Sequence, residues 1–253
     1  MKRIIIIIIA LSAFLFPLHE AWSQEPDAKE IIKKAQDKIN GLTSQGTMKM
    51  TVERSNWTRE VEMKSWSKGD QYYLILITSP PRDKGQVFLK RDLDMWNWMP
   101  SISRMIKIPP SMMSQSWMGS DFTNDDLIKM NSYVNDYNHK ITGEEDIEGY
   151  PCYIIEMIPK PDAAVVWGKL EVWVSKEELY QMKLAFYDED MILINMQISS
   201  EIKQMGDRKL PGRMVMTPVQ KPGQKTILEL YDMKFNEPIP DDFFSQQNMK
   251  KIR

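Results

Sequence analysis

The sequence predicts a mainly β (α+β) fold, a curled antiparallel half-barrel of about eleven strands with helices lidding its concave apolar face. Three observations predict it. From Leu42 onward hydropathy alternates with period two through most of the chain, whereas helical periodicity is confined to one long segment and one short one. Turn residues interrupt the alternation at short intervals, as hairpin-linked neighbours require. Two stretches, 72–78 and 165–174, are apolar on both faces and need cover on both sides.

The N-terminus reads as an export signal. Lys2 and Arg3 precede an apolar run over 4–15, then Pro17 and the triplet Ala21-Trp22-Ser23, whose small residues suit a signal peptidase. The apolar stretch, about 14 residues, is short for the ~20 that a spanning helix needs. The expected organisation is a signal peptide at 1–23 and a single domain at 24–253, with cleavage near Ser23/Gln24. No Cys follows the run to carry a lipid anchor, so a soluble periplasmic protein is expected.

Next comes a helix. Pro26-Asp27-Ala28-Lys29-Glu30 supplies an N-cap with an acidic residue three on, Ile31, Ile32, Ala35 and Ile39 follow at helical spacing, and Gly41 ends it. This predicts a helix from about Pro26 to Asn40 whose single apolar stripe needs a sheet beneath it. Strands are expected near 46–54, 57–67, 71–78, 85–91 and 94–99, broken by Ser55-Asn56, Lys68-Gly69-Asp70 and Ser79-Pro80-Pro81-Arg82-Asp83. A second set is expected near 150–158, 165–174, 180–188, 191–204, 211–218 and 225–235. In it Met182, Leu184 and Phe186 are expected to share one face, and Ile192, Ile194, Met196 and Ile198 another. The tail reads as a turn docking Phe243 and Phe244 onto the sheet.

Between the two sets, 101–137 breaks the pattern with Pro109-Pro110, a Ser/Met-rich stretch and a short helix. Thr123 is its expected cap, with Asp126 at its third position and Leu127, Ile128 and Met130 following. Residues 111–118 are expected to form a movable lid. Pro109 and Pro110 free them from the preceding strand, Ser111, Ser114, Gln115 and Ser116 give one polar side, and Met112, Met113, Trp117 and Met118 give an apolar side facing a cavity.

Composition excludes several functions. Removing 1–23 moves the formal charge from −2 to −3, leaving no basic excess for nucleic acid. His139 is the one histidine outside the signal segment and Cys152 the one cysteine, so no internal disulfide and no His/Cys metal site is expected. There is no GxSxG, P-loop or GxGxxG segment, and no nucleophile and base pair is recognisable. The acids Asp121, Asp125 and Asp126 lack the alternating ligands of a calcium loop and suit helix capping. No catalytic residue, metal or cofactor is therefore expected.

What the chain has in excess is soft apolar bulk: 20 Met and 8 Trp, with six Met and three Trp within 95–118. Flexible methionines adapt to ligands of varied shape. The residues expected to form the apolar cavity and its lid are Trp57, Trp66, Ile75, Trp96, Trp98, Met99, Met112, Met113, Trp117, Met118, Phe122 and Trp173.

Two segments carry a family resemblance. Trp96-Asn-Trp-Met-Pro100-Ser-Ile-Ser-Arg104, followed by Met118-Gly119-Ser120-Asp121-Phe122 and Asp125-Asp126-Leu127, resembles outer-membrane lipoprotein-sorting proteins of the LolA/LolB-like superfamily. Agreement continues through Trp173, Tyr187-Asp188, 206–211, 226–230 and Phe243-Phe244, while Asn124 departs from the aromatic residue usual in this branch. The motif positions are Pro100, Arg104, Gly119, Ser120, Asp121 and Asp126. The resemblance implies a half-barrel that holds acyl chains of a lipoprotein or lipid, with an inner-membrane transporter and an outer-membrane acceptor as its partners. A second reading is a non-catalytic accessory subunit docking an envelope transporter through its Met/Trp-rich segment. The two differ in whether Trp96, Trp98 and Trp117 point inward or outward.

Overall fold

The computed structural model describes residues 26–129 and 133–253, so the proposed signal segment and Met130 lie outside the described residues. Helix α1 (Ala28–Asn40) begins where the Asp27 carboxylate accepts the N–H groups of Lys29 and Glu30, and it stops at Gly41, whose φ of 61° favours glycine. Ile31, Ile32 and Ala35 form its buried stripe.

Six strands follow: β1 (Thr43–Arg54), β2 (Trp57–Lys68), β3 (Tyr72–Ser79), β4 (Val87–Arg91), β5 (Asp94–Met99) and β6 (Arg104–Lys107). A crossover carrying α2 (Asn124–Lys129) and α3 (Tyr133–Asp136) leads to β7 (Tyr137–Ile147), β8 (Tyr150–Pro159), β9 (Lys169–Ser175), β10 (Gln181–Tyr187), β11 (Leu193–Met205), β12 (Arg208–Pro218) and β13 (Lys225–Phe235). A short α4 (Gln246–Met249) ends the tail. The described strands form one 13-stranded sheet in the order β6-β5-β4-β3-β2-β1-β13-β12-β11-β10-β9-β8-β7, antiparallel throughout. The sheet curls into a half-barrel with the helices against it, as the sequence predicts.

The two strands beyond the expected eleven, β6 and β7, are the two edges. Edge strands are short or polar because exposed ladders must not recruit partners. β6 has four residues, and β7 alternates buried or half-buried Tyr137, His139 and Ile141 with exposed Asn138, Lys140 and Thr142, so neither carries an apolar signal.

Sequence order makes those edges consecutive, and this builds the roof. In a flat sheet, twelve spacings of about 4.8 Å would part the edges by roughly 58 Å, and curling brings them closer. The roughly 29 residues of 108–136 can span about 95 Å when extended, enough to cross the helix-covered face while carrying helices of their own.

Three expectations need correction. β9 starts at Lys169 rather than 165, because at Gly168 a Cβ would stand 2.4 Å from the Asp188 carbonyl oxygen, and Trp167 turns to Asp126 instead. A bulge between Gln181 and Lys183 puts Met182 on the outer face with Cys152 and Trp173, while Leu184 and Phe186 face inward. In β11 the expected face is split by a register shift: Ile194 packs against the inner core, while Asn195 pairs with Phe186 and Gln197 with Leu184, which turns Met196 and Ile198 outward.

β3 is covered on both sides as required: Ile75 and Ile77 join the inner core, and Leu74 and Leu76 pack under the tail residues Ile239, Phe244 and Met249. Phe244 stacks on Tyr72 at 5.3 Å and Phe243 meets Trp66 at 5.4 Å, which is the docking expected of the tail.

Candidate functional site

A cavity of about 150 Å³ lies between the sheet and the elements above it. That is room for on the order of ten waters, or roughly 300 Å³ of liquid. β1, β2 and β3 contribute Met48, Met50, Met63 and Ile75, β12 and β13 contribute Met214, Leu228, Leu230 and Met233, and β10 contributes Leu184 and Phe186. Trp117, Phe122 and Leu127 close it from the crossover. Gln36 and Asn40 of α1 join Ser44, Ser65, Ser67, Gln181 and Gln197 as polar lining, with Ser44 and Ser67 hydroxyls bonded to one another at 2.7 Å.

The structure separates the expected site residues into four groups. Ile75, Trp117, Phe122 and Asp126 line the cavity, and Met112, Met113 and Met118 pack half-buried against the same inner core. Trp66, Trp96 and Trp98 are on the opposite face of the sheet, beneath the C-terminal tail. Trp173 is also on the outer face, with Tyr180 and Met182, and Trp57 is 44% exposed beside Arg54. Met99, half-buried, ends β5 opposite Arg104, where Pro100 and a left-handed Ser103 (φ 51°) shape the turn into β6.

Strand parity explains the misplaced tryptophans. Met95 faces the inner core, so Trp96 and Trp98 face out; Met63 and Ser65 face in, so Trp66 faces out; Val172 and Val174 face in, so Trp173 faces out. Five cavity methionines were missed by sequence reasoning, Met48, Met50, Met63, Met214 and Met233, and the first two were legible as the inward partners of Val52 in a clean alternation.

The segment 111–118 is two 3-10 turns, Pro110–Met112 and Trp117–Gly119, rather than the single helical turn expected. Contacts with the start of α2 shape it: Asp125 N–H donates to Met113 O and the Asn124 amide to Met112 O at 2.9 Å. Asn124 thus fills its position by hydrogen bonding. Thr123 and Asp126 form the expected capping box, each backbone N–H donating to the other's side chain at 3.0 and 2.7 Å. The other Asp126 oxygen accepts the Trp167 Nε1–H at 2.8 Å, and burial pushes the Asp126 pKa up despite these donors.

Gly119-Ser120-Asp121 fastens the roof to the sheet. Arg54 donates to both Asp121 carboxylate oxygens at 3.0 and 3.1 Å and to the Gly119 carbonyl at 2.9 Å. Thr226 on β13 donates to the same carboxylate at 2.6 Å and accepts the Asp121 N–H. Ser120 Oγ folds back onto Trp117 O at 2.7 Å, and Met118 and Gly119 take left-handed φ values of 50° and 71°. The motif positions therefore divide: Pro100 and Arg104 form an edge turn, and Gly119, Ser120, Asp121 and Asp126 hold the roof.

His139 donates its Nε2–H to the Tyr133 carbonyl at 2.9 Å, and burial lowers its pKa. Among the described residues no three His, Cys, Asp or Glu side chains gather to hold a metal, and no helix is long and apolar enough to cross a membrane.

The fold is shared with solved structures, among them one of the LolA superfamily. A LolA superfamily protein from Nitrosomonas europaea has it with TM-score 0.76 at 24% identity, covering 88% of this chain and 99% of that one. A domain named for outer membrane lipoprotein sorting, from Vibrio parahaemolyticus, gives 0.78 at 24% over 88% and 98%. A DUF1329 family protein from Desulfovibrio piger gives 0.80 at 22% over 88% and 97%. Residues 69–251 match a family model described as "Uncharacterized protein", and the chain belongs to that family. No curated protein matches the sequence.

Proposed function

We propose that the protein is a non-catalytic periplasmic carrier that holds acyl chains of a lipoprotein or lipid, for transport to or maintenance of the outer membrane. The observation that carries this reading is the methionine-lined cavity beneath the latched roof. Ten buried methylenes are worth about 8 kcal/mol before ordering and association costs are subtracted, enough for a reversible complex. The signal segment at 1–23 supports export, and an inner-membrane donor and an outer-membrane acceptor are the partners such cargo requires. Of the three tryptophans that separate this reading from a docking role, Trp117 faces the cavity, whereas Trp96 and Trp98 face outward and pack half-buried beside the C-terminal tail.

Native mass spectrometry of gently purified protein tests the reading, together with uptake of fluorescent acyl probes. The carrier co-purifies with lipid or takes up the probe, and Met214→Trp, which fills the cavity, abolishes uptake while the fold is retained. A chain that is always empty and never takes up a probe sinks the reading.

A further inference from the structure

Arg59, beside the cavity, has no counter-charge among the described residues. Arg59 lies on the face of β2 that continues through Val61 to Met63, Ser65 and Ser67, the last three of which line the cavity. Strand geometry sets its Cα about 14 Å from that of Met63, beyond the end of the lining. Its Nη2 is 3.6 Å from where a Cβ on Gly119 would stand, which puts the guanidinium under the Trp117–Gly119 turn.

Arg59 Nε and Nη2 are both buried, and neither has a hydrogen-bond partner among the described residues. The neighbouring acids are committed elsewhere: Asp121 to Arg54, Glu53 to Lys225 and Glu60 to Lys49. The Trp57 ring, 6.0 Å from the guanidinium carbon, is a weak substitute. In the same turn, the Nε1–H of cavity-lining Trp117 is buried and also lacks an acceptor among the described residues. Buried donors almost always find acceptors, and a guanidinium fork matches a carboxylate or phosphate with two parallel bonds.

We propose that Arg59, assisted by Trp117 Nε1–H, receives the anionic head of a single-chain amphiphile, a carboxylate or a phosphate monoester, whose tail lies in the methionine-lined cavity. This rests on the carrier reading and specifies its cargo: an acid with one apolar chain is held, and its uncharged counterpart is held less well.

The test measures binding of dodecanoic acid, dodecyl phosphate and dodecanol to the wild-type chain and to Arg59→Gln, Arg59→Lys and Trp117→Phe, with inorganic phosphate as a head-only control. Wild type should hold at least one of the two anions about tenfold tighter than the alcohol, the worth of one charge-assisted contact. The two anions compared tell a carboxylate head from a phosphate head. Arg59→Gln should bring anion affinity down to that of the alcohol and leave the alcohol unchanged, Arg59→Lys should restore part of it, and Trp117→Phe should weaken anions by a smaller factor. Ligand-free Arg59→Gln should melt no lower than wild type, because an unpartnered buried charge contributes nothing to stability.

Equal wild-type affinity for acid and alcohol, or a loss in Arg59→Gln shared by both, overturns the anchor and leaves the carrier standing. A melting point well below wild type in ligand-free Arg59→Gln shows a structural arginine and also overturns it. Phosphate bound as tightly alone as on the dodecyl chain overturns the amphiphile. If no protein holds any of the amphiphiles, the anchor and the carrier reading fall together.

Discussion

Cutting the Arg54–Asp121 latch should loosen the roof at a cost that the geometry bounds. The two side chains are 13% and 7% exposed, so solvent screens the pair little. Asp121→Ala removes both carboxylate contacts to Arg54 and the 2.6 Å bond from Thr226, yet Arg54 keeps the carbonyls of Glu53, Gly119 and Lys225. Breaking a buried pair costs about 3–5 kcal/mol, and the retained carbonyls place this case near the lower end, about 3 kcal/mol. Thr226→Val removes one bond to a charged group and should cost about 2 kcal/mol. The assay is equilibrium urea unfolding, run alongside limited proteolysis of the crossover. Arg54→Met with Asp121→Leu should cost clearly less than the two single changes added together, since no charge is then left buried. A loss below about 1 kcal/mol for Asp121→Ala, or single effects that add to within about 0.5 kcal/mol, would refute the latch.

Three further outcomes are expected. Phe244→Ala should cost about 3–5 kcal/mol, because the ring is fully buried on Tyr72, while acyl-probe uptake in the remaining folded protein is unchanged; a parallel loss of uptake would tie the tail to the cavity. Burial pushes the Cys152 thiol up to about 11, so at pH 8 the native protein should react with a thiol reagent many times more slowly than the urea-unfolded chain, and equal rates would contradict its burial. Asp126 binds its proton more tightly folded than unfolded, so stability should fall as pH rises from about 4 through its raised pKa and then level off. Asp126→Asn should lower stability overall, as an amide N–H₂ meets an N–H donor, but it should flatten that slope; an unchanged slope in unfolding against pH would assign it to another group.

Features set by adjacent residues were legible in the sequence. Both ends of α1 follow from Asp27 and Gly41, and the capping box at Thr123 and Asp126 follows from a three-residue spacing. The docking of Phe243 and Phe244 was readable because β3 is apolar on both faces and needs an outer cover. Features that depend on register were not. A one-residue difference in parity decides whether Trp66, Trp96 and Trp98 meet the cavity or the tail, and the bulge at Met182 reverses the face that simple alternation assigns. Edge strands β6 and β7 carry the composition of loops because their chemistry discourages pairing. Arg59 drew no notice in the sequence, since only packing shows whether a strand arginine has found a partner.

The meeting of β1 and β13 in the middle of the sheet makes the molecule a circularly permuted meander. Read from β7 to β13 and on through β1 to β6, every strand pairs with the next, and the crossover is the segment that ties the two far ends together. Mechanically it is a bowstring. A curled sheet with free margins can flatten, but one whose margins are joined by a chain of fixed length can open no wider than that chain allows. The latch at Arg54 and Asp121 grips the string partway along its length and so limits the bow further. How far the half-barrel can open is therefore bounded by how much of the crossover is wound into α2 and α3 and how much runs as extended chain.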